Sequence, residues 1–238
     1  MPVVDVFFTT TDLVQAPESV VVIIDVLRAT STILTALQNG AKAVIPVASV
    51  SEAQKTAANL SNPLLAGERN AVKPAHFDLG NSPLEFVPES IFNKEIVLTT
   101  TNGTRAVKSL ESFAMVAAGA FLNARAVGNY LNEKQNDVLL YCAGSDGKFS
   151  LEDALCAAQI LSYLENFNLS DAARWTLQGA KSYSLPVEQD SEVVLAAISQ
   201  SQHALRLKKL GFEQDITYCA QLNKFDFVPL LKQGKFRK

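Results

Sequence analysis

Two stretches set hydroxyls and an arginine at the end of an apolar run: 25-DVLRATST-32 and 97-VLTTTNGTRAV-107. In the first, Asp25 closes a run of β-branched residues, Arg28 follows three positions later, and Thr30, Ser31 and Thr32 open a helical pattern. In the second, Thr100, Thr101, Asn102, Gly103, Thr104 and Arg105 stand between apolar residues and the helical pattern that starts at Ala106. Both read as strand-to-helix turns, where α/β proteins place ligands. Free N–H groups at a helix start, the positive end of its dipole, hydroxyl donors and a guanidinium together suit an oxyanion. Gly103 lets the backbone approach such a ligand closely. One such turn alone is an ordinary helix cap beside a surface arginine, but two on one sheet point to function.

A third stretch, 66-AGERNAVKPAHFDLGNSP-83, crowds Glu68, Arg69, Lys73 and Asp78 among prolines and glycines, the pattern of a structured loop. Arg69 and Lys73 would extend the anion site, with Asn81 and Ser82 as further substrate-binding groups. His76 has no partner at metal-motif spacing and reads as surface or as a neighbour of the site; His203, among helical residues, reads as structural. The fourth stretch, 142-CAGSDGKFSLEDALCAA-158, ends a strand at Cys142 and carries Asp146 in a glycine-flanked turn. Ser150 and Asp153 have capping-box spacing, so Asp153 and Glu152 read as helix-start acids.

Asp25, Glu68 and Asp146 are three acids on separate loops, a hard-oxygen set suited to Mg²⁺. Joined to an arginine- and hydroxyl-rich cleft, that is the chemistry of phosphoryl transfer or phosphate-ester hydrolysis. Three familiar phosphate chemistries fail on the residues. No GxxxxGK[ST] is present; Lys148 stands where a cysteine phosphatase with Cys142 would need arginine; and Leu27 stands where an aspartyl phosphatase would need a second aspartate. A metal-activated hydroxide and covalent attack by Asp25 or Cys142 both remain open, with Arg28 and Arg105 as catalytic cations. A non-catalytic protein that binds phosphate- or sulfonate-bearing small acids is the alternative from another class.

Short apolar runs, Val3–Phe8, Val20–Asp25, Ala43–Val47, Ile96–Thr100, Ala114–Ala117 and Val138–Cys142, are the expected strands. They are continuous rather than alternating, as in strands buried on both faces. Helical patterns fall between them at 30–38, 50–59, 103–109, 124–130 and 151–165, and the region 171–211 is mostly helical. The expected fold is a three-layer α/β/α unit with a largely parallel or mixed sheet. Residues 20–53 and 96–126 repeat one order of parts, strand, loop with arginine, helix, strand, helix, which suggests two related βαβα halves, roughly 1–92 and 93–238, in one compact unit. If their first loops face each other, Arg28 and Arg105 meet over one cleft. The tail 224-KFDFVPLLKQGKF-236 is expected to be irregular or an edge strand interrupted by Pro229.

With 238 residues, 48% of them hydrophobic, and a net charge of −3, the chain can bury a large core and offers no basic footprint for nucleic acid. The basic runs at Arg206, Lys208 and Lys209 and at the C-terminus read as solvated surface. The opening MPVVDVFFTT has no basic residue before its apolar part, and no apolar run approaches the ~20 residues of a membrane span. Three cysteines without paired spacing suggest neither disulfides nor a zinc site, and the cytoplasm fits best.

The blocks IDVLRATST, GERNAVKPAHFDLGNSP, TTTNGTRAV, CAGSDGKFSLEDALCA and DITYCAQLNKFDFVP, in that order, resemble the 2-phosphosulfolactate phosphatase family across nearly the whole chain. The resemblance implies a Mg²⁺-dependent acid phosphatase that converts (R)-2-phospho-3-sulfolactate to 3-sulfolactate and phosphate, a step in coenzyme M biosynthesis, and tolerates other phosphorylated 2-hydroxy acids. A modestly apolar final third and the same resemblance suggest a homodimer. The chain departs from the family pattern at Ala75-His76, where Pro-Gly is expected, and at Asn223, where aspartate is expected.

Overall fold

The computed structural model describes residues 1–9, 17–101, 110 and 113–238. Its strands are β1 (Val3–Phe7), β2 (Val20–Ile24), β3 (Ala43–Pro46), β4 (Pro63–Gly67), β5 (Glu95–Thr99), β6 (Met115–Gly119), β7 (Val138–Cys142), β8 (Asn168–Leu169), β9 (Leu230–Lys232) and β10 (Lys235–Arg237). They form one ten-stranded sheet in the order β4-β5-β3-β10-β9-β6-β2-β7-β1-β8. The helices are α1 (Ala29–Gln38), α2 (Val50–Ala57), α3 (Pro88–Ile91), α4 (Ala124–Lys134), α5 (Leu151–Leu161), α6 (Asp171–Ala180), α7 (Ser191–Ile198), α8 (Gln202–Lys209) and α9 (Glu213–Cys219). The expected helix at 103–109 lies outside the described residues.

The sheet is buried on both faces, which is why its strands read as unbroken apolar runs. Successive side chains of β2 point to opposite faces. Val20, Val22 and Ile24 pack with Val127, Leu155 and Ala173 of α4, α5 and α6; Val21 and Ile23 pack with Ile33, Ala36 and Leu37 of α1. Ile45 and Val97 face Ala53 of α2. The result is an α/β/α sandwich.

Two parallel groups, β4-β5-β3 and β6-β2-β7-β1-β8, are joined through the antiparallel hairpin β9–β10. β5 lies between β3 and β4, and β2 lies between β6 and β7. The units β2-α1-β3-α2-β4 and β5-β6-α4-β7 therefore interlock, each sending its second and third strands to flank the first strand of the other.

The tail departs from expectation. It is a pair of central strands, with Phe236 fully buried opposite Val44 and Leu230 opposite Ala117. Pro229 sits just before β9, where its missing N–H is not needed, and its carbonyl accepts the N–H of Ala118 at 3.0 Å. The hairpin turn places Gln233 and Gly234 at φ 52° and 73°, as a two-residue type I′ turn requires. Lys235 meets Glu95 of β5 at 2.6 Å and holds that carboxyl below its usual range. Among the described residues, no helix is long and apolar enough to cross a membrane.

Candidate active site

β2 delivers Asp25 to a turn that leads directly into α1, with Arg28 at the N-cap position. A buried turn has carbonyls to satisfy, and the neighbouring hydroxyls do so. Thr30 donates to the Asp25 carbonyl at 2.8 Å, Ser31 to the Val26 carbonyl at 2.8 Å, and Thr32 to the Asn81 carbonyl at 2.9 Å. Thr30 and Ser31, expected to contact substrate, thus fix the turn from inside. Asp25, Leu27 and Arg28 are the groups of this turn that line a cavity, together with Glu68, Asn70, Ala71, Asn81, Thr100, Thr101, Ser145, Asp146, His203 and Arg206.

Arg28 is locked. Its Nη1 lies 2.5 Å from Oδ2 of Asp215 on α9, and its guanidinium stacks 4.2 Å over the ring of Phe212. The other oxygen of Asp215 accepts the Ser82 hydroxyl at 2.6 Å, so Ser82 orients the acid that orients the arginine. Asp215 and Phe212 escaped sequence reasoning, although Asp215 opens the block DITYCA that carried the resemblance.

Glu68 follows β4, whose end runs so close to β5 that a Cβ at Gly67 would lie 1.9 Å from the Thr99 carbonyl oxygen. The carboxylate of Glu68 accepts the N–H of Ala71 at 2.6 Å and the N–H of Thr101 at 2.7 Å, which ties together the loops after β4 and β5. Arg69 turns away from the cavity and donates to the Glu68 and Ala48 carbonyls and to the Thr99 hydroxyl. Lys73 and His76 are exposed. Asn81 is buried at the cavity wall, and its Oδ1 has no hydrogen-bond partner. Asn102, Gly103, Thr104 and Arg105 lie outside the described residues; Thr100 and Thr101 bring the second turn into the same cavity as the first.

The loop after β7 closes as a tight turn, with Ser145 and Lys148 exchanging N–H···O bonds of 3.0 Å and Asp146 and Gly147 at φ 52° and 73°. Asp146 stands exposed at the rim, 3.8 Å from Arg206 of α8. Arg206, expected at the solvated surface, and His203, expected to be structural, both line the cavity from α8 three residues apart. Ser150 caps α5 without a side-chain bond, so the capping box is not formed. Asp153 instead accepts the N–H of Val26 at 2.9 Å and that of Gly144 at 3.2 Å, joining the turns after β2 and β7.

This is an acid-rich interior. Burial, opposed by the Ala29 N–H and reinforced by the charges of Glu68 and Glu152, raises the Asp25 carboxyl to about 7. Burial and the charges of Glu152 and Asp25 push Asp153 well above the carboxylate range, against the pull of the Val26 and Gly144 N–H groups. Asp25 and Glu68, two acids at one cavity whose mutual repulsion raises Asp25, fit a hard divalent cation beside the orphaned carboxamide oxygen of Asn81. Mg²⁺ in particular is commonly held by one or two carboxylates and waters. Among the described residues no three His, Cys, Asp or Glu side chains gather as one metal site, so Asp146 does not join Asp25 and Glu68 as a third carboxylate.

Cys142 does not take the place expected of a nucleophile. Fully buried in the core beneath α5, its thiol is pushed well above its ordinary value by burial and by Asp153. A thiolate is what attacks, and this site disfavours one. Iodoacetamide at neutral pH is therefore expected to leave turnover of the native protein intact; loss of activity that tracks Cys142 alkylation would reverse that assignment.

A sandwich that brings buried carboxylates and a locked arginine to the ends of its strands defines an α/β protein equipped for phosphate-ester chemistry. Residues 3–234 match the 2-phosphosulpholactate phosphatase family, and the chain belongs to it. It is 48% identical over 230 residues to a protein of Thermotoga petrophila, covering 94% of this chain and 96% of the relative. It is 46% identical over 224 residues to one of Caldanaerobacter subterraneus, covering 92% and 90%, and 42% identical over 235 residues to one of Pseudothermotoga lettingae, covering 99% and 98%. All three relatives carry the name "probable 2-phosphosulfolactate phosphatase".

Proposed function

We propose that the chain is a Mg²⁺-dependent phosphatase of the cytoplasm that hydrolyses (R)-2-phospho-3-sulfolactate to 3-sulfolactate and phosphate and accepts other phosphorylated 2-hydroxy acids. The observation that carries this reading is the meeting, in one cavity, of the carboxylates of Asp25 and Glu68 with the locked guanidinium of Arg28. Asp25 and Glu68, with the oxygen of Asn81, would hold the cation. Bound there, Mg²⁺ supplies Lewis-acid polarisation of the phosphoryl group and acidifies a coordinated water.

The chain's own residues do the rest. Arg28 is aimed before substrate arrives, so its remaining N–H groups meet the charge that develops on the phosphoryl oxygens without reorganising. Glu68 is held by the N–H groups of Ala71 and Thr101, which fixes one wall of the cavity against the other. In the reaction, water delivers oxygen to phosphorus, the bond from phosphorus to the substrate's 2-oxygen breaks, and that oxygen takes a proton.

The test is phosphate release from 2-phosphosulfolactate, phosphoglycolate, phospholactate and p-nitrophenyl phosphate, with Mg²⁺ and then with EDTA. Release that requires the metal and favours the sulfonated substrate is expected. No release from any of the four, with folded protein and Mg²⁺ present, would remove the catalytic reading and leave an anion-binding site.

A further inference from the structure

Ser145, Asp146, His203 and Arg206 line both the cavity around Asp25 and a second cavity of about 550 Å³, so the two adjoin along the inner face of α8. The second cavity is walled by the turn 145–148 and the start of α5 on one side and by Gln200, Ser201 and Gln202 on the other. Its volume falls within the range of small-molecule sites. Its cationic groups, Lys148 and Arg206, stand at the mouth, and its acids are Asp146 at the rim and Glu152 inside.

We propose that this α8 wall is the subsite for the second anion of the substrate, a sulfonate or carboxylate, with His203 and Arg206 as the groups that recognise it. The proposal rests on the phosphatase reading for the position of the phosphoryl end, beside Arg28. Three observations support it. His203 lines both cavities, and its buried Nδ1 has no hydrogen-bond partner within the described residues. Arg206 is held by Asp146 only loosely, at 3.8 Å with both side chains partly exposed, so an incoming oxyanion can replace that contact at little cost. A guanidinium with an imidazole and Gln or Ser donors around it matches the three oxygens of a sulfonate or the two of a carboxylate.

The position is fixed by packing. Ser201 caps α8 by accepting the N–H of Ala204 at 3.0 Å, and Ala204 and Leu207 are buried in the core. The helix rotation that buries them turns His203 and Arg206 to the cavities, while Lys208 points outward and pairs with Glu213 at 2.5 Å.

The experiment is calorimetric binding of 3-sulfolactate and, separately, of inorganic phosphate to the full chain in Mg²⁺, for the wild type, Arg206→Gln and Lys208→Gln. Arg206→Gln is expected to weaken 3-sulfolactate about tenfold more than it weakens phosphate. Lys208→Gln, which removes the same charge from the outer side of the helix, is expected to leave that ratio at the wild-type value. Equal weakening of both ligands would assign Arg206 to the phosphoryl end and overturn the proposal, as would no weakening of either, an equal effect from Lys208→Gln, or a wild type that binds phosphate but not 3-sulfolactate. Binding is read without turnover, so a chain that hydrolyses nothing still decides this question separately from the phosphatase reading.

Discussion

Asp25→Asn is expected to cut phosphate release by roughly two to three orders of magnitude and, in EDTA, to raise the melting temperature at pH 7.5. The two effects share one cause. Asp25 is buried beside Glu68 and Glu152, and its carboxyl is raised from 3.8 to about 7. Between those values the unfolded chain has released a proton that the native chain keeps, so native stability falls as pH rises through that window. The group's contribution is most favourable below about pH 4 and is lost by about pH 7. An asparagine keeps an oxygen to accept the Ala29 N–H but never ionises. The difference from wild type is on the order of 2–4 kcal/mol, or about 4–16 °C for a chain of this size. Melting curves of both proteins from pH 4.5 to 8, with EDTA and with Mg²⁺, check this. The gap between them should open as pH rises in EDTA and close again in Mg²⁺, because the cation stabilises only a chain that retains its ligand. A gap that ignores pH, or a variant less stable than wild type at pH 7.5 without metal, would show that Asp25 carries no strained charge.

The central strands were legible because a strand buried on both faces has one unmistakable signature, a short unbroken apolar run; VVVII in β2 and VLLYC in β7 show it. The β9–β10 hairpin was not, because three-residue strands flanked by lysines carry the composition of a solvated tail, and only their place in the sheet buries Phe236. The site divides in the same way. Acids and arginines at strand ends could be read from spacing, and Asp25, Arg28 and Glu68 do meet at one cavity. Thr30 and Ser31 could not be told from ligand-binding hydroxyls, since a hydroxyl that satisfies its own turn and one that faces a ligand look alike in sequence. His203 and Arg206 sit in an ordinary amphipathic helix. Their role depends on which side of α8 faces the turn at Asp146, a fact of tertiary packing that no local pattern encodes.

Asp215→Ala is expected to have the largest effect on stability, although Asp215 reaches the cavity only through Arg28. The side chains of Arg28 and Asp215 are 2% and 3% exposed, so removing the carboxylate leaves a guanidinium buried without its counter-charge. Such a loss costs about 3–5 kcal/mol, a fall of roughly 6–20 °C in melting temperature. The Ser82 hydroxyl loses its acceptor at the same time. Turnover should fall as well, because stacking on Phe212 alone restrains the guanidinium in one direction only. The double variant Arg28→Met, Asp215→Leu separates the two consequences. With no charge left to bury it should recover most of the lost stability, yet stay inactive, since the group that meets the phosphoryl oxygens is gone. Full activity in Asp215→Ala would mean that Arg28 needs no fixed partner. Full activity in the double variant would mean that Arg28 is structural, and would move the cationic work of the site to α8 and to residues outside those described here.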